Sequence, residues 1–239
     1  MNNLVLRLKI KQRLNKLDSN DYDNIQPWQM IEAFNKAQLD WCRRQLHGYN
    51  NFKEGDEGSK RRIDDLQILL KEKDMSGKGR QFYFETEALP SDYFEWKRID
   101  VEAENNCCSN KMPMVVYLAE EANVNNLLRD FNKKPSFEWG ETFCTLQSNK
   151  VRVYTNDEFE INKCRLTYYR LPRYIEFKGA KSPYNFDGED TKISESDVEC
   201  EFKDDVTELL IDEACKIIAS DIEAGNIKTV AETNVEQNN

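Results

Sequence analysis

Apolar residues at the start of the chain recur with the period of a helix. Between residues 4 and 17, Leu6, Ile10, Leu14 and Leu17 fall at steps of four, four and three, which puts them on one face. Arg7, Lys9, Lys11, Arg13 and Lys16 occupy the rest of that surface, and the turn-forming run Asp18, Ser19, Asn20 and Asp21 ends the segment. A second helix is predicted from Pro27, which is tolerated in a first helical turn, to His47, which is followed by Gly48. Its stripe of Met30, Phe34, Ala37, Trp41 and Gln45 is flanked by Ile31, Leu39, Cys42 and Leu46, and a stripe this broad reads as core. Residues 59 to 73 repeat the period through Ile63, Leu66 and Leu70 and predict a third helix.

From residue 81 the pattern changes. Segments rich in aromatic and β-branched residues, at 82–86, 93–101, 114–117, 142–146, 151–154, 164–169 and 174–177, are separated by turn residues and predict short antiparallel strands. Between them, residues 120 to 131 read as a helix with Val124, Leu127, Leu128 and Phe131 on one side and Pro135 beyond its end. A closing helix begins at Asp205, where Asp205 and Glu208 form a capping pair, and continues through Val206, Leu210, Ala214, Ile217 or Ile218, and Ile222. Residues 225 to 239 lose periodicity and are rich in Asn, Glu and Thr, which predicts a tail that orders only against a partner. The expected fold is α+β: a helical body from residues 1–75 and 201–224, an inserted antiparallel β-rich sandwich or barrel over 80–200, and the tail.

Composition narrows the function. The chain has 239 residues, enough to bury a substantial core, and 33% of them are charged. Its net charge of -10 argues against a protein whose main task is gripping phosphates. The apolar runs are far shorter than the roughly 20 residues that span a bilayer, and cations interrupt the N-terminal segment every second or third position, so neither a membrane span nor a secretory signal is expected. That balance suits a soluble protein made in a cytosol. Seven cysteines, an odd number with no CxxC, read as reduced thiols.

Chemistry-bearing patterns are sparse. A single histidine, His47, excludes a multi-histidine metal site, and Cys107 with Cys108 has no second pair at zinc spacing. No phosphate-binding GxxxxGK[ST], GxGxxG or GxSxG occurs. Glu85 and Glu87 fall on one side of a strand and make the best carboxylate pair for a metal, with no Lys or His nearby in sequence to complete a nuclease-like set. No catalytic residue, metal or cofactor is expected. The strongest charge feature is the acidic stretch from residue 184 to 213, in which only Lys192 and Lys203 are basic.

Three stretches together resemble the neck adaptor or ring proteins of tailed phages, especially those of crAss-like short-tailed phages. They are NDYDNIQPWQMIEAFNKAQLDWCRRQLHG at 20–48, LTYYRLPRYIEF at 166–177 and DDVTELLIDEACKIIASDIE at 204–223, in that order, and they cover about a quarter of the chain. None is a catalytic signature. The resemblance implies a helical body with an inserted β-domain, assembled as a ring of about twelve copies. Such a ring is a structural virion protein of the neck that joins the portal to other neck or tail proteins and lines the DNA channel. Its expected partners are further copies of itself, the portal, those neck or tail proteins and double-stranded DNA in transit, with no membrane. The acidic stretch and the Cys107 loop have no counterpart in the family pattern.

On that reading, Arg7, Lys11 and Arg13 in the first helix and Ile227, Val230 and Val235 in the tail are candidate contacts to the portal or a neighbour. Asp187, Glu189, Asp190 and Glu195 are candidate channel-facing acids, which would repel duplex DNA and keep it from sticking. Two other classes compete. A metal-dependent, nuclease-like enzyme would need Glu85 and Glu87 and would lose its magnesium- or manganese-dependent activity when they become Gln. A small acidic regulatory protein would bind a host protein through the acidic face.

Overall fold

A computed structural model of the chain describes residues 1–15, 25–47, 60–105, 110–187 and 190–221. The fold is α+β, as the pattern predicts, and the chain divides into two compact units, Met1–Ile68 with Pro172–Asn239, and Leu69–Leu171. The first unit holds α1 (Asn3–Asn15), α2 (Pro27–His47), α3 (Lys60–Leu66), the paired strands β9 (Lys181–Asp187) and β10 (Asp190–Ile193), and α5 (Asp204–Asp221). The second holds β1 (Leu70–Asp74), β2 (Gly77–Gly79), β3 (Tyr83–Thr86), β4 (Tyr93–Asn105), β5 (Lys111–Leu118), α4 (Val124–Arg129), β6 (Glu141–Gln147), β7 (Lys150–Tyr154) and β8 (Phe159–Arg170).

In the helical unit, α5 packs against both α1 and α2. Leu6, Ile10 and Leu14 from α1, Met30, Phe34 and Trp41 from α2, and Leu210, Ala214 and Ile218 from α5 are all buried, at the positions that the period of 3.6 predicts. Trp41 meets the ring of Phe202 edge-on at 5.2 Å. The expected strand at 174–177 is absent. Ile175 lies buried beside α2, where its N–H donates to Asn35 Oδ1 at 2.8 Å and its carbonyl accepts from Asn35 Nδ2 at 3.3 Å. A side chain therefore satisfies the backbone that a neighbouring strand would otherwise satisfy, and only a single bridge, Glu176 to Val198, remains of the ladder.

The predicted third helix is shorter than expected. After α3 and one tight turn at Gln67–Leu69 the chain becomes β1, whose five residues are all exposed and whose only apolar member is Leu70. With no apolar face to bury, this segment is held by its ladder to β8, where Leu70 pairs with Tyr169.

The strand unit is one curled eight-stranded sheet in the order β1-β8-β4-β5-β6-β7-β3-β2. Its core includes Met75, Ile99, Val101, Cys144, Val153, Cys164, Leu166 and Tyr168. β5 turns a corner: it pairs with β4 up to Met114 and with β6 from Val115 onward. The edge strands β1 and β2 follow each other in the chain with Met75 and Ser76 between them, although they lie at opposite ends of the strand order, and the sheet curls into a half-barrel. Ser148–Asn149, which joins the antiparallel pair β6–β7, has positive φ at both residues, the mirror-image hairpin geometry that matches strand twist; Asn156–Asp157 has the same signs between β7 and β8.

Not every strand pair is antiparallel. β5 and β6 run parallel, which a tight turn cannot join, and the chain crosses over through residues 119–140, which carry α4. Val124, Leu127 and Leu128 from this crossover pack on Phe143 and Tyr154. Among the described residues, no helix is long and apolar enough to cross a membrane.

Candidate functional site

The first helix carries two functions on two faces. On one side, Lys9 forms an ion pair with Glu208, and Arg13 reaches both Glu208 and Asp212, the latter at 2.8 Å. Burial pushes the Asp212 carboxyl above its usual range, with Arg13 pulling the other way. Arg13, expected as an outward contact, is therefore held by α5 of its own chain. The opposite side is open: Leu4 is 65% and Leu8 57% exposed, Val5 adjoins them, and Arg7 and Lys11 flank this apolar stripe half-exposed. Arg7 and Lys11 form no ion pair among the described residues. The period of Leu6, Ile10 and Leu14 located the buried face. Leu4 and Leu8 lie on a second apolar face that a search for one stripe passes over.

Much of the acidic stretch is used internally. Glu201 pairs with Arg173, Glu208 and Asp212 hold α1, and Glu213 faces Arg44 at 3.4 Å. Asp197 accepts from the backbone N–H of Lys178 and from Asn3 Nδ2, bonds that hold its carboxyl below the usual range. Of the candidate channel acids, Asp187 and Asp190 are backbone register partners at the end of the β9–β10 pair, and Glu195 is exposed. Glu189, Ile227, Val230 and Val235 lie outside the described residues, as do Cys107 and Cys108.

The carboxylate pair does not stand alone as the sequence suggested. The neighbouring strand brings Arg152 within 3.1 Å and Lys150 within 3.3 Å of Glu85, and the Arg152 hydrogen bond lowers the Glu85 pKa. Glu87 sits past the end of β3, exposed. Among the described residues, no group of three His, Cys, Asp or Glu side chains is arranged to hold a metal ion.

A concavity arises from the crossover between β5 and β6. It is a cleft of about 1120 Å³ inside the strand unit, bounded by the end of β5, the loop after α4 and the start of β6. Phe131, predicted to lie on the apolar face of a helix, instead follows the helix end at Arg129 and is 77% exposed. Trp139 is 59% and Tyr117 55% exposed, and both line the same cleft. Six acids, Glu120, Asp130, Glu138, Glu141, Asp157 and Glu158, share the lining with two cations, Lys133 and Lys134. Lys134 is already engaged, 3.6 Å from Glu158 and above the ring of Phe131. Only the parallel pairing could have located this site in advance, because it is what forces the long crossover.

Gly140 hands the crossover back to the sheet. Its φ is +67°, its carbonyl accepts from the Val115 N–H at 2.8 Å, and a Cβ there would meet the Met112 methyl at 2.9 Å. Exposed apolar and aromatic side chains set among charged neighbours suit contact with another macromolecule. No protein-family model matches the chain, and no curated protein matches it.

Proposed function

We propose that this chain is a structural subunit that assembles with copies of itself into a ring in the neck of a tailed phage, joining portal to tail and surrounding the DNA path. The observation that carries the reading is that each of the three stretches of family resemblance contributes to the helical unit, the second through its last six residues, since 166–171 belong to the strand unit. α2 comes from the first stretch, the Ile175 backbone that Asn35 brackets comes from the second, and α5, packed on α2, is the third. A resemblance spread over distant parts of a chain has more weight when those parts build a single packed unit. Two exposed apolar surfaces, on α1 and in the crossover cleft, support the reading as places for copies to meet.

In this reading the acids at Asp187, Glu189, Asp190 and Glu195 face the channel, where like charge keeps duplex DNA from adhering. Native mass measurement of the full chain, alone and mixed with a portal, tests the assignment. A closed oligomer, or one formed on the portal, is the expected result. A monomer that neither oligomerises nor joins a portal would overturn it.

A further inference from the structure

Two surfaces of the chain complement each other. The outer face of α1 presents Leu4 and Leu8 beside the half-exposed cations Arg7 and Lys11, and α1 contains no acid. The crossover cleft presents exposed aromatic rings set among six acids and two lysines. Among the described residues of its own unit, each surface is left exposed. A 13-residue helix is about 20 Å long and about 10 Å wide. A cleft of about 1120 Å³ is slightly above the roughly 300–1,000 Å³ of small-molecule sites, and an amphipathic helix laid in a groove is a recurring mode of recognition.

We infer that α1 of one copy docks in the crossover cleft of the next, with Leu4 and Leu8 against Phe131 and Trp139, and with Arg7 and Lys11 toward the acidic rim. The contact is heterologous, since a different patch on each partner meets the other, which is the geometry that closes rings. The inference rests on the ring reading above and identifies the surface that builds it. It also gives the two faces of α1 separate tasks: Lys9 and Arg13 fasten the helix to α5, while Arg7 and Lys11 steer it toward a neighbour. Leu4, Leu8 and Phe131 are exposed enough for substitution to spare the fold.

A photocross-linker in the full chain, Phe131→benzoylphenylalanine, tests this directly. Heavy-isotope-labelled and unlabelled copies are mixed, irradiated and mapped by mass spectrometry, with oligomer mass followed in parallel. The expected product joins position 131 of one copy to a peptide within residues 3–15 of a copy bearing the other label. Its yield should fall about tenfold or more in an R7E/K11E chain and recover when that chain is paired with an E120K/E138K copy. Oligomers of full mass whose cross-links stay within one copy, or reach another segment of a neighbour, overturn the docking and leave the ring reading in place. A chain that forms no oligomer, alone or with a portal, overturns both.

Discussion

The side chain of Asn35 pairs with both backbone polar groups of Ile175, doing for one residue of an irregular segment what a neighbouring strand does for a ladder. Gln38 Nε2 adds a third bond to the same Asn35 oxygen at 2.8 Å. All three residues are buried, so removing the amide strands two donors and an acceptor away from water. Asn35→Ala should lower stability by about 2–4 kcal/mol, and Asn35→Asp should do no better, since it lacks the donor and buries a charge. Urea unfolding followed by circular dichroism gives the difference, and a loss under about 0.5 kcal/mol would contradict this account.

Gly140 is the second position where one residue controls a larger element. A side chain there has to tolerate positive φ and displace the Met112 methyl, so Gly140→Ala should cost about 1–2 kcal/mol. Because the glycine returns the crossover to β6, the same substitution should raise hydrogen-exchange rates in residues 119–140 more than in β4 or β8.

Asp92 accepts from the Tyr168 hydroxyl at 2.8 Å and from Lys71 Nζ at 2.7 Å. Burial alone would raise its pKa, but these two bonds outweigh it and hold the carboxyl below its usual range. A depressed folded-state pKa contributes stability that is complete above the unfolded value, near 3.9, and disappears as pH falls through the folded value. Asp92→Asn should therefore destabilise the chain by about 1 kcal/mol above pH 5, after allowance for solvent screening, and the deficit should shrink as pH falls below the unfolded value. Thermal unfolding across that range tests the sign, and a deficit that grows on acidification would refute it.

Five described cysteines, Cys42, Cys144, Cys164, Cys200 and Cys215, are free and buried. Burial pushes Cys144, Cys164 and Cys215 up to about 12, and Cys42 and Cys200 upward as well. Brief alkylation of the native protein at pH 8 should leave all five unmodified, whereas urea should open them to the reagent. Peptide mass spectrometry resolves the sites, and rapid native labelling of any of the five would show that its burial is not maintained in solution.

Helices were legible where one stripe of apolar residues dominated. α2 and α5 emerged because Phe34, Trp41, Leu210 and Ala214 recur with the helical period and are buried. Legibility failed where partners distant in sequence decide the conformation. Leu70 extends a helical period on paper, yet its neighbours have nothing to bury and the segment pairs with β8 instead. Ile175 reads as strand, yet its backbone is satisfied by an amide from a helix 140 positions away. The crossover cleft was hidden for a related reason: whether β5 and β6 run parallel depends on long-range pairing, and Phe131 and Trp139 are exposed because of it. The outward apolar face of α1 was legible in principle, but cations on both flanks disguise it as a simple basic surface.

Leu70 pairs with Tyr169, so the strand unit begins and ends on adjacent, hydrogen-bonded strands. Its roughly one hundred residues thus form a cassette whose entry and exit already touch. The helical unit must bring together two stretches far apart along the polypeptide, and forming the cassette first shortens that separation to a few residues. On loop-closure grounds this relieves about 2–3 kcal/mol of chain entropy. Such a stem also lets the cassette be enlarged, exchanged or deleted in other proteins without breaking the continuity of the helices around it.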